Sequence, residues 1–399
     1  MNIEMSEQDQ PSISDLFPES SRLLLTGGGK EFIERIGVEA TRRVIHHVMM
    51  GENLRQQTEP LTRRRVTQIS GAMVALFARG CLEIDNFTNL LSGMAVEQLR
   101  TKKNDKAAVW PAQWLIGLTG KSVQNVLRSK SDALENYISD FESAIEESAR
   151  QCREDMGNLK MILGFAEDSE GRKVELDWKG ITRLTTAIGA QTLAIRGSDK
   201  SIYGKLFERL ILGSFLTILG FERVNPAVNT KDAGVFWLSD SSDLRESDAT
   251  LLVRRGKLAR FDIGFIGVGN SEISKDKLSR YAREVEMAGG KSSSVTFIIV
   301  DRLPKTGKTQ KAAEAIGAEI IQMSMKCWPR ELAQRLGARL GIKHELQNLA
   351  DSKISDYLEG KLDAMPVQEF LIGVSPADLE QEKEMPEAEE QIAPFEDEE

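Results

Sequence analysis

Two aspartates stand where the residue pattern brings them side by side. Ser247-Asp248-Ala249-Thr250-Leu251-Leu252-Val253 and Leu258-Ala259-Arg260-Phe261-Asp262-Ile263-Gly264-Phe265-Ile266 read as the strands of a hairpin, with Arg254-Arg255-Gly256-Lys257 as its turn. Asp248 begins the first strand, and Asp262 sits inside an otherwise apolar second one. A carboxylate within a buried strand costs several kcal/mol unless a cation or partner neutralises it. Two acids placed next to each other also repel, and a divalent metal is the simplest remedy. Mg²⁺ held this way stabilises the charge that develops when water attacks a phosphodiester. Glu272, after Asn270 at the start of the next helix, is a third candidate ligand. Glu208, on the preceding helix amid Leu206, Phe207, Leu210 and Ile211, is a fourth acid, suited to outer-sphere metal contact. Bland alternatives stand beside these: a solvated turn residue for Asp248, a first-turn acid favouring the helix dipole for Glu272, a snorkelling surface residue for Glu208.

The elements that must position them follow from periodicity. Lys200–Leu219 predicts a strongly apolar helix, Phe221–Val224 a short strand, Glu272–Ala288 a helix, and Ser294–Val300 a buried strand of a mixed sheet. Thr309–Met323 and Pro329–Gly341 read as helices. The order αβββαβ predicts an α/β core. Upstream the pattern is mostly helical: Phe32–Met50, a helix after Pro60 capped by Thr62, Glu83–Leu99 and Ser131–Leu163. Gly197-Ser198-Asp199 is a breaker cluster and predicts the boundary between halves. The expected organisation is a flexible N-terminus over 1–20, a helical domain over 21–197, an α/β domain over 198–345 and an acidic tail over 346–399 that stays disordered.

The net charge of −9 is misleading for a nucleic-acid partner until it is located. Beyond Ser375 there are eleven acids and the single Lys383, which is −10, so the rest of the chain carries −9 − (−10) = +1. The low pI is a property of the tail. Cys81, Cys152 and Cys327 have neither disulfide nor metal spacing and fit a reducing compartment. Without an apolar leader or a run of ~18 apolar residues, the expectation is a cytoplasmic protein.

Two stretches suit DNA reading. Thr62-Arg63-Arg64-Arg65 puts three guanidinium groups on one helical turn, fit for phosphate or guanine, though a solvated helix start explains it equally well. In Leu118-Thr119-Gly120-Lys121-Ser122-Val123-Gln124-Asn125-Val126-Leu127-Arg128, the polar side carries Lys121, Gln124, Asn125 and Arg128, as in the second helix of a helix-turn-helix; a short amphipathic helix is the commoner cause of such a pattern. Three features carry no site. In Thr306-Gly307-Lys308-Thr309 the first glycine of a phosphate loop would fall on Arg302, and Thr26-Gly27-Gly28-Gly29-Lys30 lacks its spacing. His46 and His47 are adjacent on a helix and point to different faces, while His344 is isolated.

Tyr203-Gly204-Lys205-Leu206-Phe207-Glu208 running into Leu219-Gly220-Phe221 resembles the first helix and strand of the PD-(D/E)xK nucleases. Within that superfamily, three segments resemble the CfrBI type of type II restriction endonucleases: 195–205, Glu246-Ser247-Asp248-Ala249-Thr250, and Phe261-Asp262-Ile263-Gly264-Phe265-Ile266-Gly267. The likeness extends to Gly51-Glu52-Asn53-Leu54-Arg55 and to 58–65. It implies a helical domain before a restriction-endonuclease-like mixed sheet, and Mg²⁺-dependent cleavage of double-stranded DNA at a short palindrome of the CCWWGG kind by a homodimer. It implies neither a nucleotide cofactor nor a membrane. One departure matters: the superfamily pattern ends in acid-x-Lys, whereas Asp262-Ile263-Gly264 ends in glycine. Lys277, on the flank of the next helix, is the candidate replacement, with Arg280 close by and Lys275 further round. That departure keeps two alternatives open: a DNA-binding protein on a degenerate nuclease fold, and a repair nuclease without sequence specificity.

Overall fold

The computed structural model describes residues 11–102, 105–127, 133–157, 165–175, 177–225, 233–239, 247–265, 294–301, 318–325 and 327–375. Among them the strands are β1 (Phe165–Glu167), β2 (Lys173–Glu175), β3 (Glu222–Arg223), β4 (Val235–Leu238), β5 (Ala249–Arg254), β6 (Lys257–Gly264), β7 (Ser294–Val300) and β8 (Glu319–Gln322). β1 and β2 form an antiparallel ribbon. The other six form one mixed sheet in the order β3-β4-β5-β6-β7-β8. β4, β5 and β6 run antiparallel to one another, and β6, β7 and β8 run parallel. This is the expected α/β class. Alternation explains its centre: Ala249, Leu251, Ala259, Phe261 and Ile263 are fully buried on one face, with Phe261 stacked on Phe297 at 5.5 Å between ring centroids.

Two compact units divide the chain: Met1–Gly27 with Pro60–Asp199, and Gly28–Glu59 with Lys200–Glu399. The first is helical, with Trp114, Phe77, Phe87 and Leu91 in its core. The second contains the six-stranded sheet, and it takes up 28–59, which the sequence reading assigns to the helical half. The reason is packing. The helices Gly29–Ile36 and Val38–Met49, separated at Gly37 (φ 122°), bury Phe32 beside Tyr203, and the Val48 carbonyl accepts from Trp328 Nε1 at 2.9 Å. Residues past 345, assigned to the tail, form the helix Asp351–Asp363 and the turn Val367–Leu371, with Ile354, Leu358, Leu362 and Leu371 buried. Arg42 Nη2 ties Val38–Met49 to the Met365 carbonyl at 2.8 Å.

Several predicted boundaries shift. Gly197-Ser198-Asp199 does not break the chain: one helix runs Trp178–Ile218. A helix-interior glycine costs only ~1 kcal/mol, and Asp199 is held by a buried ion pair with Arg65. The helix expected after Pro60 begins at Leu54 and runs to Glu83, so Thr62 is interior and buried. Asn53 caps it, its Oδ1 accepting the Arg55 N–H at 3.0 Å. The end of the predicted Thr309–Met323 helix is the strand β8, because Ile320 and Ile321 pair with Ile298 and Ile299. The predicted helix Glu272–Ala288 lies outside the described residues.

Candidate active site

β5 and β6 fix the first two carboxylates. Ala249 pairs with Phe261 as the last rung of the antiparallel register, and extending that register by one residue puts Asp248 across from Asp262. Residues opposite one another share a face, with Cβ atoms about 5 Å apart. The Asp248 carbonyl accepts the Ser239 N–H at 3.2 Å, which prolongs the β4–β5 ladder to this rung. Asp248 Oδ2 accepts the Ile263 N–H at 2.7 Å, a charge-assisted bond that fixes its carboxylate beside the Asp262 backbone. Both aspartates are half-buried, while Ala249, Phe261 and Ile263 on the other face are sealed in the core. Hairpin geometry thus brings together the pair that its sequence predicts.

The third acid is carried by the helix Trp178–Ile218. Its Leu206, Phe207, Leu210 and Ile211 are fully buried, and Glu208 between them is half-buried. Arg209, also buried, donates through Nη1 to the Ser239 carbonyl and through Nε to the Phe370 carbonyl at 3.2 Å. Ser239 is the residue laddered to Asp248, so the turn carrying Glu208 lies at the carboxylate end of the hairpin. Sequence reasoning missed Arg209. Its signal was a cation embedded in the same apolar helix that made Glu208 conspicuous. Glu272 and the cation candidates Lys277, Lys275 and Arg280 lie outside the described residues.

Among the described residues no group of three or more His, Cys, Asp or Glu side chains gathers to hold a metal. Two carboxylates are enough for Mg²⁺, which keeps several waters and takes its remaining oxygens from substrate phosphate. The all-oxygen donor pair of Asp248 and Asp262 fits such an ion; it would not suit a thiolate-seeking one.

The predicted DNA-reading residues separate. Arg63 and Arg64 are exposed on the helix Leu54–Glu83. Arg65 is fully buried: Nε and Nη2 donate to the Leu24 carbonyl at 3.1 and 2.8 Å, and Nη1 to Asp199 at 2.5 Å. It is corrected from a DNA-facing to a structural residue, since consecutive helical side chains lie ~100° apart and three cannot share one face. The second predicted stretch folds as a helix (Lys106–Leu115), a turn with Gly117 at φ 73°, and a helix (Gly120–Leu127). Leu118 and Val123 point inward, Lys121 and Asn125 are exposed, and Gln124 is half-buried. The turn is secured by Tyr137 Oη donating to the Ile116 carbonyl at 2.8 Å. Arg128 lies outside the described residues. No described helix is long and apolar enough to cross a membrane.

Comparison with known proteins gives the family. The family described as CfrBI restriction endonuclease matches residues 38–308, a span that includes both aspartates, the helix of Glu208 and the helix of Arg63 and Arg64. The type II restriction enzyme CfrBI of Citrobacter freundii is 30% identical over 357 residues, covering 89% of this chain and 97% of that protein. No solved structure matches. The chain belongs to the CfrBI restriction endonuclease family.

Proposed function

We propose that this protein is a Mg²⁺-dependent type II restriction endonuclease that cuts double-stranded DNA at a short palindrome, of the CCWWGG kind, as a homodimer. The observation that carries the reading is that Asp248 and Asp262 flank the last β5–β6 rung, Ala249–Phe261, both half-buried, with Asp248 Oδ2 accepting the Ile263 N–H. Family membership and the extent of the Citrobacter freundii match support the reaction class. The succession of an apolar helix, three antiparallel strands and a strand parallel to the last supports a PD-(D/E)xK core.

In this mechanism Asp248 and Asp262 would hold the ion, and the Ile263 N–H keeps the Asp248 carboxylate in one orientation. The ion, when bound, lowers the pKa of the attacking water and offsets charge developing on the phosphate. Glu208, from its helix, and Glu272 would help the two aspartates to hold the ion, and Lys277 would orient the water. The water oxygen bonds to phosphorus as one phosphorus–oxygen ester bond breaks, and the departing oxygen takes up a proton. Lys121, Gln124, Asn125 and Arg128 read bases, and Arg63 and Arg64 contact phosphates. The exposed positions of Lys121, Asn125, Arg63 and Arg64 support these roles.

The test is a digest of phage DNA by purified protein with Mg²⁺ or with EDTA. Discrete fragments in Mg²⁺ alone are expected, together with loss of cutting but retention of DNA binding by Asp262→Ala. Plasmid cleavage by Asp262→Ala would sink the site assignment. Gly264 in the place of the superfamily lysine favours one other reading, a DNA-binding protein on a degenerate nuclease fold, and retarded but intact DNA would support that instead.

A further inference from the structure

At the carboxyl ends of its parallel strands the sheet meets the loop between two helices, Val38–Met49 and Leu54–Glu83. Ile298 is the register partner of Asp262, and Asp301 follows three residues later. Three residues at ~3.3 Å and one strand spacing of ~4.8 Å set the Asp262 and Asp301 Cα atoms about 11 Å apart. Asp301 Oδ2 accepts from Asn53 Nδ2 at 3.0 Å, and Gly51 packs on the Met323 and Met325 carbonyls beyond β8. Two exposed arginines, Arg43 and Arg55, flank this loop. Arg43 lies one turn before His47, whose Nδ1 hydrogen-bonds Glu52 at 2.8 Å, and the Arg55 N–H is held by Asn53 Oδ1. Neither guanidinium makes a hydrogen bond or ion pair among the described residues. The neighbouring acids are engaged: Glu39 accepts from Arg42 Nη1 at 3.0 Å, and Glu52 from Gln57 Nε2 at 2.6 Å. Arg55 also stands in the first turn of its helix, which holds no acid. The positive end of the helix dipole disfavours a cation there by ~0.3–1 kcal/mol, so the position calls for an anion from outside the chain.

We infer that Arg43 and Arg55 form a phosphate-gripping surface on the sheet-bearing unit, and that its partner is the DNA backbone a few nucleotides from the scissile bond. Distance supports this assignment. One DNA strand advances ~3.4 Å of helix axis per phosphate, so the Asp301 edge stands about three phosphates from a bond cut at Asp262. Two guanidinium groups suit that partner, since each presents a planar fork to the paired non-bridging oxygens of a phosphodiester. Always protonated, they serve as clamps and not as bases. Such contacts carry no base information: they set affinity and the register of the duplex over the carboxylates. Base choice is left to the helix Gly120–Leu127.

The inference rests on reading Asp248 and Asp262 as the cleavage site, and the experiment separates the two. Wild type, Arg43→Ala, Arg55→Ala, the double variant and Lys343→Ala are compared as full chains. Exposed Lys343 is the control, because Arg339 Nε pairs with Glu319 at 3.1 Å and so sets that end of the helix Trp328–Leu340 at the amino edge of the sheet. Binding is measured in EDTA across a salt series, on one fragment that wild type cuts in Mg²⁺ and one of equal length that it leaves whole. Each single variant should weaken binding to both fragments about equally, roughly three- to tenfold, with a salt slope shallower by about one. The double variant should lose about two from the slope, and Lys343→Ala should match wild type. If wild type cuts no DNA, the cleavage reading fails. If wild type cuts and the double variant keeps its salt slope, only the Arg43 and Arg55 inference fails. Weakened binding confined to the fragment with a site, or an equal loss of slope in Lys343→Ala, overturns it too. Should the alanine variants melt early, Arg43→Gln with Arg55→Gln, which keeps the aliphatic stems, decides by the same slope.

Discussion

Arg65 and Asp199 illustrate what a single buried charge can mean. Each is almost completely enclosed, at 0% and 2% exposure, and Arg65 Nη1 lies 2.5 Å from Asp199 Oδ1. The guanidinium also caps the Leu24 carbonyl through two nitrogens. Asp199 Oδ2 makes no hydrogen bond among the described residues, so the pair is incompletely satisfied. Breaking such a pair from one side strands the other charge, at a cost of about 3–5 kcal/mol, whereas replacing both members by apolar residues of similar volume is often neutral. Arg65→Ala should therefore lower the urea midpoint sharply, and Arg65→Met combined with Asp199→Leu should restore most of it. A small effect of Arg65→Ala on stability, accompanied by a large one on DNA affinity, would return Arg65 to the DNA-contacting set.

At the scale of elements, the start of the helix Leu54–Glu83 is secured twice by Asn53. Its Oδ1 accepts the Arg55 N–H at 3.0 Å, and its Nδ2 donates to Asp301 Oδ2 at 3.0 Å, at the end of β7. Gly51 before it has φ 95°, and a side chain there would meet the Met325 and Met323 carbonyl oxygens at 3.2 and 3.3 Å. Aspartate equals asparagine as an N-cap, so capping alone makes Asn53→Asp nearly silent and Asn53→Ala cost ~1 kcal/mol. The bond to Asp301 reverses that order, because Asn53→Asp sets a second carboxylate against a mostly buried one. Chemical denaturation should rank wild type above Asn53→Ala above Asn53→Asp. The opposite ranking of the two variants would show that the cap, not the strand contact, holds the helix start.

Across the whole molecule, charge is partitioned by sequence position. Residues 376–399 carry −10, and the remainder carries about +1, from −9 − (−10). A tethered anionic segment competes with DNA phosphates for the same cations, and the competition weakens as salt shortens the Debye length. Removing 376–399 should raise non-specific DNA affinity roughly three- to tenfold at about 50 mM salt, with the difference gone near 0.5 M. Gel retardation of a fragment without a cleavage site measures this. Equal affinities at low salt would mean that the segment does not compete for DNA. Truncation should leave the melting temperature unchanged, since Ile354, Leu358 and Leu371 lie before the cut.

The sequence by itself determined the hairpin, the class of the sheet and the shared face of Asp248 and Asp262. A period of two and a short turn are local properties, and antiparallel register follows from them. It also determined the exposed side of Lys121 and Asn125, because helical periodicity is equally local. Only the tertiary structure decided that Arg65 turns inward, that helices 29–36 and 38–49 join the sheet-bearing unit, that 351–363 is folded, and that 319–322 is a strand. Each of those depends on which distant apolar surface an element meets: Val48 against Trp328, Phe32 against Tyr203, Ile320 against Ile298.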